Sequence, residues 1–430
     1  MKRVLLLMLA LCLATIILPA AAEKKNLTER GVFKVPAGEI QMFEIGDITV
    51  DHGGGIWAKN VNSHSIISVD RISGGDWSIA LEAEGGSIIA SFDEIITPEG
   101  CSAEIDAKDG GFISLTGGNC RSEGNYQGFL IKEAGASAAR IHVNEIYAKG
   151  KYGILAFPED SSTLIFSAKK VHCDGEYGVW VQSKMKGNGK ETLISVEIGE
   201  LESPGVALQF QQYGSGYYSD LTFGKVTAGD IALRLEVDGG NVANVFVKED
   251  VTAGRIGVKF YSDQRVQLIV AGTINASEAP ILVADMSGRS GVGINGKTQV
   301  ILAWRIIPTA SGHVVMRQGK ETDTVVESNS TEALEKAIRY IIRTEESDQA
   351  AFTLKKADGE DIRISSGYPV ACEGERVLVE VQAADGYRVT SVLNGEEEKT
   401  PLEQDENGNW YFDMPRGGGI SLFAVTEPAT

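Results

Sequence analysis

The sequence VTAGDIALRL, residues 226–235, recurs 25 positions later as VTAGRIGVKF, residues 251–260. Both copies keep a Val, an Ala and a Gly in the same places, and they differ at charged positions such as Asp230 and Arg255. Val226 and Val251 therefore serve as anchors of one repeated unit. The same pattern predicts further anchors on both sides, at steps of 22 to 30 residues: Val50, Ile72, Ile96, Cys120, Ile146, Val171, Leu201 and Ile274. Self-similarity at such a period is typical of a repeat architecture.

Each unit contains short segments in which apolar and polar residues alternate, such as GILAF from Gly153, GVWVQ from Gly178 and VALQF from Val206. This alternation predicts half-buried β-strands. No helical pattern separates the strands, which excludes a β/α barrel and a doubly wound sheet. We therefore predict an all-β fold, a parallel β-solenoid of about ten right-handed coils of ~24 residues each. The alternative, a β-sandwich, would need hairpin turns between successive strands.

Two columns of residues follow from this alignment. Two positions after each anchor from Ile146 onward only small residues occur, which predicts a tight inner corner: Ala148, Cys173, Ser203, Ala228, Ala253 and Ala276. One position before the anchors the charges alternate in sign, through Glu145, Lys170, Glu200, Lys225 and Asp250. Opposite charges on neighbouring strands stabilise a sheet, so this column predicts a solvent-facing charge ladder.

The N-terminus predicts secretion. Lys2 and Arg3 precede an apolar run that ends near Pro19 and three alanines, the pattern of a signal peptide over residues 1–22. No later stretch is apolar and long enough to cross a membrane. The chain is acidic, with 59 Asp and Glu against 40 Lys and Arg, so a nucleic acid partner is not expected.

The predicted domains follow the composition. Residues 23–326 form the solenoid with capping strands, residues 327–350 a short helical linker, and residues 351–430 a small β module. The helix is predicted from a possible cap at Ser330 or Thr331 and from an apolar stripe: Ala333, Leu334, Ala337, Ile338, Ile341 and Ile342.

No residue pattern predicts chemistry. After signal removal four cysteines remain, at no zinc-binding spacing, and a disulfide between Cys101 and Cys120 is one alternative for two of them. The five histidines lie at different phases of the repeat, so they do not stack into a metal site or a triad. We predict no catalytic residue, no metal and no cofactor.

Two loops interrupt the repeat and are the best candidates for a binding surface. SKMKGNGKE from Ser183 lengthens one coil, and QQYGSGYYSD from Gln211 follows in the next. Tyr213, Tyr217 and Tyr218, with Trp180 nearby, are predicted to form a sugar-stacking platform, because solenoids place binding surfaces on loops. An ordinary glycine-rich loop with incidental tyrosines would give the same pattern.

The C-terminal segment carries a family resemblance. GERVLVEVQAADGYRVTSVLNG from Gly374 and WYFDMPRGGGISLFAV from Trp410 resemble a small repeat module of bacterial surface proteins. The matching residues are Gly386, Tyr387, Val389, Phe412, Met414 and Pro415. The coils from about residue 45 to 285 more loosely resemble adhesin-type β-solenoids. Both resemblances imply a secreted or cell-surface bacterial protein, and neither implies catalytic residues.

Two functions therefore stay open. The first is a non-catalytic surface protein that binds a polysaccharide, a matrix or a host or cell-surface ligand through loops on the solenoid. The alternative is a polysaccharide lyase or glycoside hydrolase on a β-helix scaffold. A hydrolase needs two carboxyl groups about 5 to 10 Å apart, and no clear cluster of this kind emerges from the repeat.

Overall fold

The structure is a computed structural model. It describes residues 24–159, 161–183, 192–213, 216–237, 241–262, 265–284, 299–306, 314–317, 339–345, 347–365, 368–395 and 399–429. The predicted signal peptide and the loop 184–191 lie outside these residues. The described part is almost entirely β-strand and contains no helix.

The N-terminal three-quarters of the chain contribute 25 strands to a solenoid. They are β1 (Lys25–Leu27), β2 (Gly31–Val35), β3 (Ile40–Val50), β4 (Gly54–Val61), β5 (His64–Gly74), β6 (Trp77–Glu84), β7 (Ser87–Thr97), β8 (Cys101–Lys108), β9 (Phe112–Ser122), β10 (Phe129–Ala134), β11 (Ala138–Ala148), β12 (Tyr152–Pro158), β13 (Thr163–Cys173), β14 (Tyr177–Ser183), β15 (Thr192–Ser203), β16 (Val206–Gln212), β17 (Tyr217–Ala228), β18 (Ile231–Val237), β19 (Val242–Val247), β20 (Val251–Ala253), β21 (Ile256–Ser262), β22 (Arg265–Ala276), β23 (Ala279–Ala284), β24 (Gln299–Ile306) and β25 (Val314–Arg317).

The remaining strands form the C-terminal module: β26 (Arg339–Thr344), β27 (Ala350–Lys356), β28 (Arg363–Ser365), β29 (Tyr368–Cys372), β30 (Arg376–Ala383), β31 (Tyr387–Asn394), β32 (Thr400–Pro401), β33 (Glu403–Gln404), β34 (Trp410–Asp413) and β35 (Ile420–Pro428).

The solenoid consists of two parallel sheets, and the chain alternates between them for about nine turns. One sheet collects long strands, many of 11 or 12 residues, such as β11 and β17. The other collects shorter strands, such as β14 and β16. Several long strands contain two consecutive residues that are less buried than their neighbours; in β11 these are Asn144 and Glu145, between buried Val143 and Ile146. The prediction of a parallel β-solenoid is confirmed.

The anchors form one continuous interior column. Strand register aligns Ile72, Cys120, Ile146, Val171, Leu201, Val226, Val251 and Ile274 as predicted. The assignment of Val50 and Ile96 as anchors was wrong. Ile48 and Ile95 occupy those two places in the column, because Val50 pairs with Gly74 and Ile96 pairs with Arg121. The column continues to Ile306. All its members are almost fully buried.

The column of small residues is also confirmed. Ala148 pairs with Cys173, Ser203 with Ala228, and Ala253 with both Ala228 and Ala276. The glycine that follows is required by backbone proximity, since a Cβ on Gly254 would lie 1.9 Å from the carbonyl oxygen of Gly229. These two glycines belong to the two repeated decapeptides.

The charge ladder runs on the outer surface as predicted. Glu145, Lys170, Glu200 and Lys225 align on successive strands, and Lys170 approaches Glu200 to 3.2 Å. The same column extends toward the N-terminus as Asp47, Arg71, Glu94 and Asn119. Asp250 precedes β20, and its carboxylate accepts a hydrogen bond from the Thr273 N–H at 2.8 Å.

The predicted helix over 327–350 is wrong where the structure describes it. Ile341 and Ile342 belong to strand β26, while residues 327–338 lie outside the described residues. Two adjacent apolar residues suit a strand that is buried on both faces, and β26 has β24, β29 and β35 as partners. The apolar stripe therefore came from a buried strand.

The C-terminal module closes the end of the rod. Strand β26 extends the long-strand sheet beside β24, and the Trp304 indole N–H donates to the carbonyl of Ile420 at 2.8 Å. The backbone N–H of Ile306 donates to the carbonyl of Gly417 at 2.7 Å. The terminal coil thus finds hydrogen-bond partners for groups that an open sheet edge would leave unpaired.

The cysteines are free thiols, and the Cys101–Cys120 disulfide does not form in the structure. Both are buried, and burial raises the pKa of Cys101 to about 12. Cys173 lies in the column of small residues, as expected for a buried structural thiol.

Ala253→Trp should destabilise the rod, since an indole placed in this close-packed column cannot be accommodated without moving the backbone; overpacking costs about 1–3 kcal/mol or more. Thermal melting followed by circular dichroism measures the effect. Thr252→Trp is the matched control, because Thr252 is adjacent and faces outward. Equal melting temperatures for the two variants would contradict the assigned interior.

Candidate functional site

The structure separates the four residues of the predicted sugar platform. Trp180 in β14 and Tyr213 after β16 are half-buried on the outer side of the short-strand sheet. Tyr217 is 6% exposed and belongs to the core, whereas its neighbour Tyr218 is 45% exposed on the long-strand sheet. Successive side chains of a strand point to opposite faces, so these two tyrosines cannot share a surface. Only Trp180 and Tyr213 stay on one face.

Trp180 is part of an aromatic cluster that was not predicted from the sequence of the two loops. The cluster consists of Tyr152, Tyr177 and Trp180, whose ring centroids lie 4.8 to 5.5 Å apart. Tyr152 and Tyr177 pair in register and stack at 19°. The sequence contained a signal for this cluster. Tyr152 directly precedes GILAF and Tyr177 directly precedes GVWVQ, so tyrosine occupies the same position in two adjacent coils.

A network of amides and a carboxylate adjoins the aromatic cluster. The Trp180 indole N–H donates to Gln211 Oε1 at 2.9 Å, and Gln182 donates to the same oxygen at 3.1 Å. Gln211 Nε2 donates to Glu236 Oε2 at 2.8 Å, and the Tyr213 hydroxyl donates to that oxygen as well. These bonds fix the plane of the indole ring and hold Tyr213 beside it.

The charges around the cluster are balanced. The Lys151 ammonium lies 5.3 Å from the Tyr152 ring centroid and pairs with Glu176 at 3.2 Å, and the hydrogen bond with Glu176 raises the pKa of Lys151. Arg234 pairs with Glu236 at 2.8 Å. Flat rings beside amide and carboxylate groups can stack on the apolar face of a sugar and bind its hydroxyl groups.

A second group of polar residues lies on the long-strand sheet around His172. Its Nδ1 is 2.9 Å from Glu202 and its Nε2 is 2.9 Å from Asp174. The Tyr147 ring stacks on the imidazole at 5.7 Å and donates its hydroxyl to Asp174. Lys170 reaches Glu202 at 3.2 Å. The available signal in the sequence was the pair of His172, near the end of β13, and Asp174, directly after it.

The pKa values in this group favour a structural role. The hydrogen bond from Tyr147 lowers the pKa of Asp174, and the one from His172 lowers the pKa of Glu202, each outweighing partial desolvation. A glycosidase acid needs a raised pKa, so neither carboxyl is suited to donate a proton. Among the described residues, no group of His, Cys, Asp and Glu has the arrangement of a metal site.

A groove of about 780 Å³ lies where the last coils meet the C-terminal module. Its walls include Lys248, Glu249, Trp304, Arg343 and Tyr368. The Arg343 guanidinium covers the Trp304 ring at 4.3 Å, and Trp304 is only 8% exposed. The indole ring is therefore covered and offers no exposed face to a ligand in this groove.

Comparison of the chain with family models, curated proteins and solved structures found no match. In the described part of the chain, no helix has the length and apolar character needed to cross a membrane.

Stability should depend on pH through His172. Partial burial lowers the pKa of His172, but the hydrogen bonds with Glu202 and Asp174 outweigh it and raise the pKa above 6.5. Because the folded-state pKa is the higher one, this contribution is complete below about pH 6.5 and is lost as the pH rises through the raised value.

Thermal melting from about pH 5.5 to 8 measures this loss, and the His172→Gln variant should lack it. His142→Gln is the control, because His142 bonds the Ser167 hydroxyl at 2.7 Å and not a carboxylate. If His172→Gln kept the pH dependence of the wild type, the assignment to His172 would be wrong.

Proposed function

We propose that the protein is a non-catalytic bacterial protein, secreted or held at the cell surface, that binds glycan chains on the outer face of its solenoid. The observation that carries this proposal is the aromatic cluster of Tyr152, Tyr177 and Trp180 beside the hydrogen-bonded side chains of Gln182, Gln211 and Tyr213. The signal-peptide pattern and the resemblance of the C-terminal module support the location.

The rigidity of the scaffold supports recognition of an extended polymer. Tyr152 lies on β12 and the other two rings on β14, so neighbouring coils present the rings at a fixed strand spacing of about 4.8 Å. Rings held by strands lose little conformational entropy on binding. The Trp180 indole is already oriented by Gln211, which further lowers that cost.

The balance of charges supports a neutral glycan. Both cations beside the cluster, Lys151 and Arg234, already pair with carboxylates. A uronic acid polymer would meet the exposed carboxylate of Glu176 and a chain whose formal net charge is −19. Repulsion between like charges therefore favours neutral hexose or pentose chains.

The alternative, a polysaccharide lyase or hydrolase, draws support from the His172 group, in which a histidine, a lysine and carboxylates converge. Against it, each carboxylate in that group is held ionised by a specific partner. The charges also alternate in sign, whereas an active site concentrates groups of matched function.

Trp180→Ala should weaken glycan binding at least about tenfold, since removing the ring deletes the stacking surface. The measurement is titration calorimetry of residues 23–430 against neutral oligosaccharides, chosen by a first screen of neutral and uronic acid polysaccharides. Trp180 is half-buried on an outer face, so the fold should persist, as circular dichroism can verify.

Two controls test the location. Trp57 occupies the same column in an earlier coil, but Arg30 and Lys34 lie 5.0 and 4.7 Å from its ring centroid, so Trp57→Ala should bind normally. Tyr218→Ala, on the other sheet, should also bind normally. Equal loss in all three variants, or tighter binding of uronic acid chains, would contradict the proposed surface.

The same polysaccharides test the alternative. New reducing ends, or the absorbance of an unsaturated sugar, would overturn the non-catalytic function. If that activity disappeared in His172→Ala and persisted in Trp180→Ala, it would belong to the His172 group.

A further inference from the structure

One interior corner of the solenoid contains several buried polar side chains. It lies where the short strands end and the long strands begin. Strand register places one column of residues on one side of this corner: Asn60, Ala83, Ala107, Glu133 and Pro158. The facing column contains Ser63, Gly86, Gly111, Ser137 and Ser162, joined from coil to coil by bonds such as Thr163 N–H to Ser137 O.

Glu133, whose side chain can ionise, belongs to this corner and is only 2% exposed. Neither of its carboxyl oxygens makes a hydrogen bond of good geometry within the described residues. The hydroxyl oxygens of Ser137 and Ser162, which immediately precede β11 and β13 in the same corner, are also buried without such a partner. Three neighbouring side chains thus present four buried polar atoms that make no hydrogen bond of good geometry within the described residues.

The charges near Glu133 point elsewhere. Asp106 and Lys108 lie at outward positions of the flanking strand β8 and bond to each other, and Lys132 lies at an outward position of β10, the strand of Glu133 itself. Glu159, at the end of the next coil, is half-buried and has interactions of its own. Burial raises the pKa of Glu133 well above its ordinary range, and the neighbouring Ser162 hydroxyl offsets this only in part.

An ionised carboxylate in this position would be expensive, because a buried charge without a counter-charge loses its hydration. A neutral carboxyl still needs partners for its O–H and its carbonyl oxygen. Buried water typically makes about three hydrogen bonds to groups of this kind. We propose that the interior corner formed by Glu133, Ser137 and Ser162 is a water-binding site, in which ordered water bridges the two serine hydroxyls to a carboxyl that stays protonated in the folded rod.

The consequence is that the free energy of unfolding of the middle coils decreases as the pH rises above about 4. The unfolded chain releases the Glu133 proton near pH 4, whereas the folded chain retains it. Stability therefore falls as the pH rises from that value toward the raised pKa of Glu133, and the loss ends there.

The experiment compares the wild type with Glu133→Gln, which retains a polar side chain of the same size and cannot ionise. Above about pH 5 the melting temperature of the wild type should fall relative to that of the variant by about 2 °C per pH unit, until the raised pKa of Glu133 is reached. Glu104→Gln is the control, since Glu104 lies on the outer face and pairs with Lys132 at 2.8 Å. A constant difference between wild type and Glu133→Gln would overturn the proposal.

Two further measurements do not depend on the variant folding. Infrared spectra of the wild type near neutral pH should contain the C=O band of a buried protonated carboxyl, and its absence would overturn the proposal. A crystal structure should contain water within hydrogen-bonding distance of Glu133 and of Ser137 or Ser162. A direct hydrogen bond between Glu133 and a serine, with no water at the site, would also overturn the proposal. So would a melting temperature that rises with added potassium or calcium and falls with a chelator, because that result would indicate a bound cation.

Discussion

Register between successive coils is the constraint on which the rest of the structure depends. Backbone hydrogen bonds hold each strand against the equivalent strand of the next coil, so every side chain lies above a counterpart about 4.8 Å away. A residue is acceptable only if it suits the residues above and below it. The apolar column from Ile48 to Ile306, the small column through Ala253 and the alternating charges around Lys170 are three results of this single rule.

The same rule explains the two surfaces that differ from the plain repeat. On the short-strand sheet, register brings Tyr152 over Tyr177 and places the amides of Gln182 and Gln211 beside each other. On the long-strand sheet it brings Tyr147, His172 and Glu202 into one outward column. The first surface presents half-buried rings whose orientation is fixed by the bonded amides behind them. The second pairs its charges internally, so it contributes to cohesion between coils.

Much of the fold could be predicted from the sequence, because a repeat exposes the register through similarity between units. The errors occurred where two apolar residues compete for one position: Ile48 with Val50, and Ile95 with Ile96. Local sequence cannot decide between them, since the neighbouring coil sets the choice. For the same reason Ile341 and Ile342 were assigned to a helix, although they are buried between strands that come from distant parts of the chain. The candidate site was only half predictable. Trp180 could be recognised as a candidate because it is a tryptophan near the loops. Its partners Tyr152 and Gln211 come from other coils, and the sequence near Trp180 does not indicate them.

The closure of the rod by β26 and β35 has a consequence for how the protein is made. Coils can stack in the order of synthesis, because each needs only the coil before it. The last coil, however, bonds to Gly417 and Ile420, and Ile420 lies 116 residues beyond its partner Trp304. Until the C-terminal module has folded, the last coil presents a free sheet edge that another copy could join. The C-terminal module thus protects the last coil against edge-to-edge association as well as completing its hydrogen bonds.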